Sequence, residues 1–327
     1  MSAGEEGGGK AIVAALIANL GIAISKFVAF LITGSSSMLA ESVHSVADTG
    51  NQGLLLVGRR RSKRPPDEDH PFGHGQDRYF YAFVVALVLF SVGSLFALYE
   101  GYEKVKHPHE LDSPIIAIGV LAVAIGLEGF SFHTAFTEAS KIRGNIGWAA
   151  YLRTSKSPEL PVVLLEDTAA LLGLLFALGG VGLSITTGNP RWDGVGTLAI
   201  GLLLGAVAVF LAMEMKSLLI GEAASRPVVA GIRAALTDGT RIRDVIHLRT
   251  MHLGPEQLLV GAKVALAPGL TMPEVAEAID DAEARIRAAQ PLATLIYIEP
   301  DLYRPQLADG ARQTAGLTGS GGPDPER

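Results

Sequence analysis

The chain has 327 residues, of which 49% are hydrophobic and only 18% are charged. An ordinary soluble domain carries about 25% charged residues. Here the charged residues lie mainly between long apolar runs, which is typical of a membrane protein with several spans and argues against a disordered chain or a coiled coil. The net charge of −6 gives no indication of nucleic-acid binding, and the absence of cysteine excludes disulfides and thiolate metal sites.

Six segments are predicted to cross a lipid bilayer, since each offers about 20 mostly apolar residues. They lie at 11–33, 36–58, 79–101, 113–135, 160–184 and 193–219. The second is the most polar, with Glu41, His44 and Asp48 inside it. We keep it as a span because only there does a helix length of chain fit before the arginines that begin at Arg59.

Basic residues predict the orientation through the positive-inside rule. The loop 59–78 and the connection 136–159 together carry ten Lys and Arg residues, against three in the opposite loops. The rule predicts that both ends of the chain are cytoplasmic. We expect the protein in the cell membrane, either an inner or a plasma membrane.

After the sixth segment the pattern changes to that of a small α+β domain. A helix at 227–237, strands at 243–253 and 257–266, a helix at 272–289 and a strand from 296 are predicted. The predicted fold is an α-helical membrane protein with six spans, followed by a cytoplasmic αββαβ domain. The predicted parts are a flexible tail at 1–10, the membrane domain at 11–220, the α+β domain at 225–305 and a disordered tail at 309–327.

His44 and Asp48 are four residues apart in the second span, so both side chains lie on one helix face. Imidazole and carboxylate ligands suit Zn²⁺ and other first-row divalent ions. Ionisable groups within a membrane are costly unless they face a cavity or a partner, so the pair predicts metal or proton binding. The alternative is that both are packing groups hydrogen-bonded to a neighbouring helix.

Glu166 and Asp167 place two adjacent carboxylates in the fifth span. Adjacent residues point about 100° apart on a helix, so one can face a site while the other finds a partner at its rim. Two buried carboxylates are hard to ionise together without a cation. The alternative is a helix that begins later and leaves both near the surface as acids of its first turn.

Asp67, His70 and His74 form a third group, in a loop made irregular by Pro71 and Gly73. These side chains can converge on one cation. The alternative is a solvated turn whose acids offset the preceding arginines. Two more ionisable residues lie within spans: Lys26 pairs with a carboxylate or snorkels, and Glu128 lines a path or makes a structural hydrogen bond.

Two strings, TGSSSMLAESVHSVAD at 33–48 and DHPFGHG at 69–75, resemble the cation diffusion facilitator family. The six spans, the acidic fifth span and the α+β tail strengthen the resemblance. LEGFSF at 127–132 and LLEDT at 164–168 are similar to the branch that contains the mitochondrial zinc transporter nine. The resemblance implies a homodimer in a lipid bilayer that exports a divalent metal ion in exchange for protons, by alternating access.

Zn²⁺ is the ion we predict, while Mn²⁺, Fe²⁺ and Co²⁺ stay open because nitrogen and carboxylate ligands suit them too. We predict a transporter and not an enzyme, since the sequence has no nucleophile elbow and no H-E-x-x-H motif. The alternative function is a non-transporting membrane metal sensor or scaffold of the same fold.

The resemblance also implies a transport site between spans two and five. It assigns His44 and Asp48 to span two and Asp167 to span five. The fourth family position is Val163 here, and valine cannot bind a metal. Either Glu166 or water completes the ligand shell, or the site is weaker or altered in its selectivity.

The resemblance further implies a loop metal site and a tail domain that dimerises. The loop site falls on Asp67, His70 and His74. In the tail, His247 matches one zinc-ligand position of the family, whereas the other expected positions hold Lys263, Tyr297 and Glu299. Most of the tail's metal ligands are thus missing, and the tail is predicted to dimerise without metal.

Overall fold

The computed structural model describes residues 20–109 and 114–302. The chain divides into two compact units, with the division after Ile220. The described part of the first unit is helical, and the second contains a three-stranded sheet. The tails predicted at 1–10 and 309–327 lie outside the described residues.

The described part of the first unit contains eight α-helices and one π-helical stretch. These are α1 (Leu20–Thr33), α2 (Ser36–Arg61), α3 (Asp77–Val88), a π-helical stretch (Leu89–Ser94), α4 (Leu95–Lys106), α5 (Pro114–Arg143), α6 (Trp148–Thr154), α7 (Glu159–Thr187) and α8 (Arg191–Ile220). The segment from α3 to α4 is one continuous span of 30 residues. The bounds agree with the predicted spans to within a few residues at most ends.

Among residues 20–109 and 114–302, four helices are long and apolar enough to cross a membrane: Asp77–Lys106, Ile115–Arg143, Glu159–Thr187 and Arg191–Ile220. Six spans are therefore not confirmed. Helix α2 has 26 residues, but its polar side chains lower its hydropathy. The described part of α1 is a shorter apolar helix, and the beginning of that predicted span lies outside the described residues.

The predicted connection 136–159 is shorter than expected. Helix α5 continues to Arg143, and α6 forms before α7 begins at Glu159. The apolar run ends near residue 135, but Lys and Glu are good helix formers, so the helix continues after the hydropathy falls. Helix ends in this region therefore do not coincide with the ends of the apolar segments.

Helix α2 is fixed to α8 by a buried carboxylate at its first turn. The side chain of Asp193 accepts hydrogen bonds from the Ser36 backbone N–H at 2.9 Å and from the hydroxyls of Ser35 at 2.9 Å and Ser36 at 3.0 Å. The Ser37 hydroxyl donates to the Asp193 backbone carbonyl. A negative charge is favourable at a helix N-terminus, where the first N–H groups lack partners in the helix.

Replacing Asp193 with alanine should lower the thermal unfolding midpoint of the detergent-purified protein. The substitution leaves buried hydroxyl and N–H donors unsatisfied, and each such group costs about 1–3 kcal/mol. Tryptophan fluorescence on heating measures the midpoint. Glu138→Ala is the control, because that carboxylate is exposed. An equal midpoint in both variants would contradict a stabilising role for Asp193.

Helix α8 also approaches α4 closely, because glycine lies at their contact. A Cβ on Gly101 would lie 2.7 Å from the Leu198 backbone nitrogen, and one on Gly201 would lie 2.8 Å from the Leu98 side chain. Small residues permit this kind of packing within a membrane. The core around it includes the fully buried Leu174, Ile200, Leu204 and Leu211.

The second unit has the predicted αββαβ order. It contains α9 (Arg226–Leu236), β1 (Ile242–Gly254), β2 (Gln257–Leu266), α10 (Met272–Ala289) and β3 (Leu295–Leu302). Strand β2 is central, antiparallel to β1 and parallel to β3. Thr271 and Glu274 form a capping box at the start of α10, and hydrogen bonds from Thr271 lower the pKa of Glu274. Ile232, Leu236 and Ile286 are buried in its core.

Candidate metal centre

Helices α2 and α7 pack against each other and carry the predicted transport ligands. His44, Glu166 and Asp167 are buried, and the side chain of Asp48 is 13% exposed. Helix α7 begins at Glu159, so Glu166 and Asp167 lie in its third turn. The alternative that they are exposed acids of a first turn is therefore wrong.

Glu166 and Asp167 are oriented by different neighbouring helices. The Asn51 side-chain amide on α2 donates to Glu166 Oε1 at 2.8 Å, while the Ser131 hydroxyl on α5 donates to Asp167 Oδ2 at 3.1 Å. Their divergence follows from the angle of about 100° between successive helical residues. Asn51 and Ser131 are positioning residues that the sequence analysis did not identify.

His44 and Asp48 hold the polar atoms that fit a cation most directly. Both ring nitrogens of His44 and Oδ1 of Asp48 are buried without a hydrogen-bond partner in the described part of the chain. His44 Nδ1 and Asp48 Oδ1 are 3.4 Å apart but do not have hydrogen-bond geometry. Buried polar groups normally have partners, and imidazole nitrogen with carboxylate oxygen is a donor set for divalent ions.

The four membrane candidates do not converge to coordination distance. Within residues 20–109 and 114–302, the only group of three His, Asp or Glu ligand atoms lying within 4.8 Å of one another is Asp67, His70 and His74. His44, Asp48, Glu166 and Asp167 are thus brought to one helix interface without forming a closed ligand shell.

Lys26 lies in the same buried region and pairs with carboxylates, one of the two roles predicted for it. Its ammonium group is 3.2 Å from Glu41 Oε2, 2.8 Å from the Ser45 hydroxyl and 3.6 Å from Glu128 Oε1. The sequence analysis did not identify Glu41 as the partner. Glu41 and Ser45 are four residues apart and therefore lie on one face of α2, which is the one feature of the sequence that groups them as partners of the same lysine.

A cavity of about 290 Å³ lies between α2, α5 and α7. Its walls include Gln52, Ser131, Glu138, Glu159 and Val163. Val163, where the resemblance predicted a fourth ligand position, is half-buried in this wall. Because Ser131 donates to Asp167, the cavity comes close to the acidic pair of α7. Arg59 also lines it, so the cavity is at the end of α2 that carries the basic residues.

The loop group is formed by local hydrogen bonds around Asp67. The carboxylate accepts from the His70 backbone N–H at 2.7 Å and is 3.2 Å from His70 Nδ1 and 2.9 Å from His74 Nε2. These hydrogen bonds, chiefly the one with His74, lower the pKa of Asp67 to about 2. Asp67 is therefore ionised at neutral pH, and its favourable interactions are lost only as pH falls from about 4 through about 2.

In the tail, a lysine lies where the family resemblance predicted a metal ligand. Lys263 is opposite His247 on β1 and opposite Glu299 on β3. Its ammonium group is 2.7 Å from Glu299 and 3.4 Å from Asp301. The hydrogen bond with Glu299 raises the pKa of Lys263, so the group is cationic at neutral pH. A fixed positive charge here disfavours a metal ion at the same position.

Comparison with known families agrees with this geometry. The family described as the cation efflux transmembrane domain matches residues 12–220, which contain all the membrane helices described above. The chain belongs to the cation efflux family. This membership confirms the predicted resemblance, and with it a transporter class in place of an enzyme class.

Several curated proteins are similar to this chain over most of its length. The protein called proton-coupled zinc antiporter SLC30A9, mitochondrial, is 33% identical in Homo sapiens, over 79% of this chain and 46% of that protein. In Xenopus laevis the protein of that name is 34% identical, over 79% of this chain and 47% of the relative. Metal tolerance protein C4 of Arabidopsis thaliana is 30% identical, over 78% of this chain and 56% of that protein. The chain thus spans about half the length of the curated relatives it matches.

The predicted cell-membrane location is wrong by this comparison, because the similar zinc antiporters are named as mitochondrial. The prediction rested on the basic loops, but the positive-inside rule concerns the side of a membrane and carries no information about which membrane it is. The inference that both ends are cytoplasmic is not supported either. Integration in a membrane agrees with the family and with the four apolar helices.

Proposed function

We propose that the protein is a proton-coupled divalent-metal transporter, with Zn²⁺ as its ion, that works by alternating access in a homodimer with six spans per protomer. The observation that carries the proposal is the set of unpartnered ligand atoms of His44 and Asp48, buried where α2 packs against the acidic turn of α7. The names of the relatives support zinc as the ion and protons as the counter-ion.

The same ligands can select both the metal and the proton. Asp48, Asp167 and His44 bind a cation only when they are deprotonated, so protons and metal compete for them. Metal binding is favoured on the side with fewer protons and release on the side with more. The competition couples metal movement to the proton gradient without a separate energy source.

The cavity beside Val163 supports access to the site from one side in this conformation. Near the opposite end of α2, the hydrogen bonds between Asp193 and Ser35 and Ser36 join α2 to α8. We propose that rearrangement of the helices closes the cavity and opens a route at the other end. Since the ligands are not yet within coordination distance, metal binding would draw α2 and α7 together.

Purified protein in liposomes, with a metal dye and a pH dye inside, tests the function. Zn²⁺ added outside should enter while protons move out, and Mn²⁺, Fe²⁺ and Co²⁺ added separately rank the ions. Zinc entry without proton movement would reject antiport. Protein-free liposomes control for leakage.

The absence of a fourth ligand at Val163 favours one alternative, a membrane metal sensor or scaffold. Such a protein would bind zinc without transporting it. Zinc binding by folded protein in detergent, with no flux in the liposomes, would replace the transporter proposal with this one.

We propose that Asp67, His70 and His74 bind a second metal ion in the loop between α2 and α3. Asp67→Ala should weaken zinc binding at this site by about tenfold or more, since both histidines are oriented by its carboxylate. Calorimetric zinc titration of the Asp48→Ala protein, in which the membrane site is disabled, isolates the loop. The matched control is Asp69→Ala, and unchanged binding after loss of Asp67 would show that the loop is a solvated turn.

The homodimer is proposed to form through the tail without metal. The Lys263 ammonium already neutralises Glu299 and Asp301, so no cation is required to hold these carboxylates together. His247 alone is a weak zinc site, since structural zinc normally has four protein ligands.

A further inference from the structure

Lys26, Glu41 and Glu128 form a buried ion network that contains none of the proposed metal ligands. They come from α1, α2 and α5, and the lysine ammonium lies within 3.6 Å of both carboxylates. Lys26 and Glu41 are fully buried and Glu128 is 7% exposed. Charged groups at such depth are rare unless they are paired or functional. One ammonium neutralises one carboxylate, so the network retains one excess negative charge when both are ionised.

One oxygen of the network lacks a partner. Glu41 Oε1 is buried without a hydrogen bond in the described part of the chain. It lies over Gly173 of α7, where a Cβ would be only 2.6 Å away. Glycine thus provides the space for this carboxylate. An ionised oxygen buried without a donor is costly, and a bound proton removes its charge.

The surroundings give the network a strong electrostatic link to the metal centre. The titratable and charged groups that face this region are Lys26 on α1, Glu41, His44 and Asp48 on α2, Glu128 on α5, and Glu166 and Asp167 on α7. They comprise five carboxylates, one lysine and one histidine. A divalent ion at the ligands offsets two of the excess negative charges, and protons must account for most of the rest in a low-dielectric region.

A crevice of about 370 Å³ between α1 and α5 reaches Lys26 and is lined by Ser25 and Ala124 among others. None of its lining residues borders the cavity at Val163. Within the described residues, the crevice beside Lys26 is therefore separate from the cavity at Val163.

We propose that the Lys26–Glu41–Glu128 network is a proton-carrying site of the transporter, distinct from the metal ligands. The inference rests on the proposed function. When the metal ion leaves, the excess negative charge draws a proton onto Glu41 or Glu128; when metal binds, its charge expels that proton. Glu41 is about one turn from His44, and Glu128 is about one turn from Ser131, which donates to Asp167. Protonation of the network therefore changes the metal affinity of the ligands, and metal binding changes the proton affinity of the network.

Glu128→Gln tests the proposal, because it keeps the size of the side chain and removes the titrating carboxyl. In the two-dye liposomes, zinc should still enter, while the number of protons exported per zinc falls by about one. The ratio is measured per transported ion and is independent of how much protein folds. Glu103→Gln on α4 is the control, since that carboxylate is exposed and lies outside both the network and the cavity at Val163.

Glu41→Gln, in protein shown by gel filtration to be folded, repeats the test on the other carboxylate. Variants that lose zinc and proton fluxes in equal proportion, with the ratio unchanged, would assign the network a structural role only. Loss of all zinc flux in both folded variants would likewise overturn the proposal, since it places these residues on the metal path. If the wild type itself moves zinc without protons, the proposed antiport fails and not merely this site.

Discussion

Asp48→Ala should reduce zinc flux into liposomes by at least about 100-fold, since even residues that only support metal ligands contribute 10–100-fold to affinity. Asp48 lies on α2 one turn after His44, and its Oδ1 is buried without a hydrogen bond in the described residues. Alanine removes a negative ligand from this interface. Flux is measured with the metal dye, under saturating and limiting zinc, so that lost affinity and lost turnover are separated.

Two further variants, one expected to lose zinc flux and one expected to keep it, test the loss predicted for Asp48→Ala. Asp167→Ala should have a similar effect from the α7 side, and it leaves the Ser131 hydroxyl without its acceptor. Glu103→Ala should change nothing, because that acid is exposed at the end of α4. Normal flux in either aspartate variant, in folded protein, would place the transport site elsewhere and reject the ligand assignment.

The local parts of the candidate site were predictable from spacing. The i, i+4 spacing of His44 and Asp48 places them on one face of any helix, whatever packs against it. Adjacent positions for Glu166 and Asp167 likewise require them to point in different directions. Asp67, His70 and His74 lie in one short loop, so their proximity also required no knowledge of the fold.

The partners of these residues could not be predicted in the same way. Lys26 meets Glu128, and Ser36 meets Asp193, only because helices distant in the sequence pack together. Spacing within one helix gives no information about which neighbour faces it. The polar side chains of α2 have their partners on α1, α7 and α8, and a hydropathy scale does not include these neighbours.

In the tail, the sequence pattern predicted the order of helices and strands. The neighbours of Lys263, however, depend on how the strands pair. The strands predicted at 243–253 and 257–266 and the helix predicted at 272–289 correspond to β1, β2 and α10. That Lys263 lies between His247 and Glu299 depends on strand register. In this register the Lys263 ammonium pairs with Glu299 and Asp301.

Val163→Asp should increase zinc affinity by about tenfold or more, because it adds the ligand that the family resemblance predicts at this position. Val163 is four residues before Asp167, so an aspartate there would lie on the same face of α7 as Asp167. It borders the cavity, where a carboxylate retains contact with water before metal binds. Tighter binding should also slow release, so zinc flux at saturation should fall while the dissociation constant measured by calorimetry decreases.

Leu160→Asp separates ligation from a general effect of charge. Leu160 lines the same cavity but lies about one turn farther from Asp167 than Val163 does. A carboxylate there attracts cations to the cavity and should raise affinity only slightly. If both variants bind zinc equally tightly, then Val163 does not face the site, and water or Glu166 completes the shell from another direction. If only Val163→Asp binds more tightly and transports more slowly, valine at this position is what keeps the natural site weak enough to release its ion.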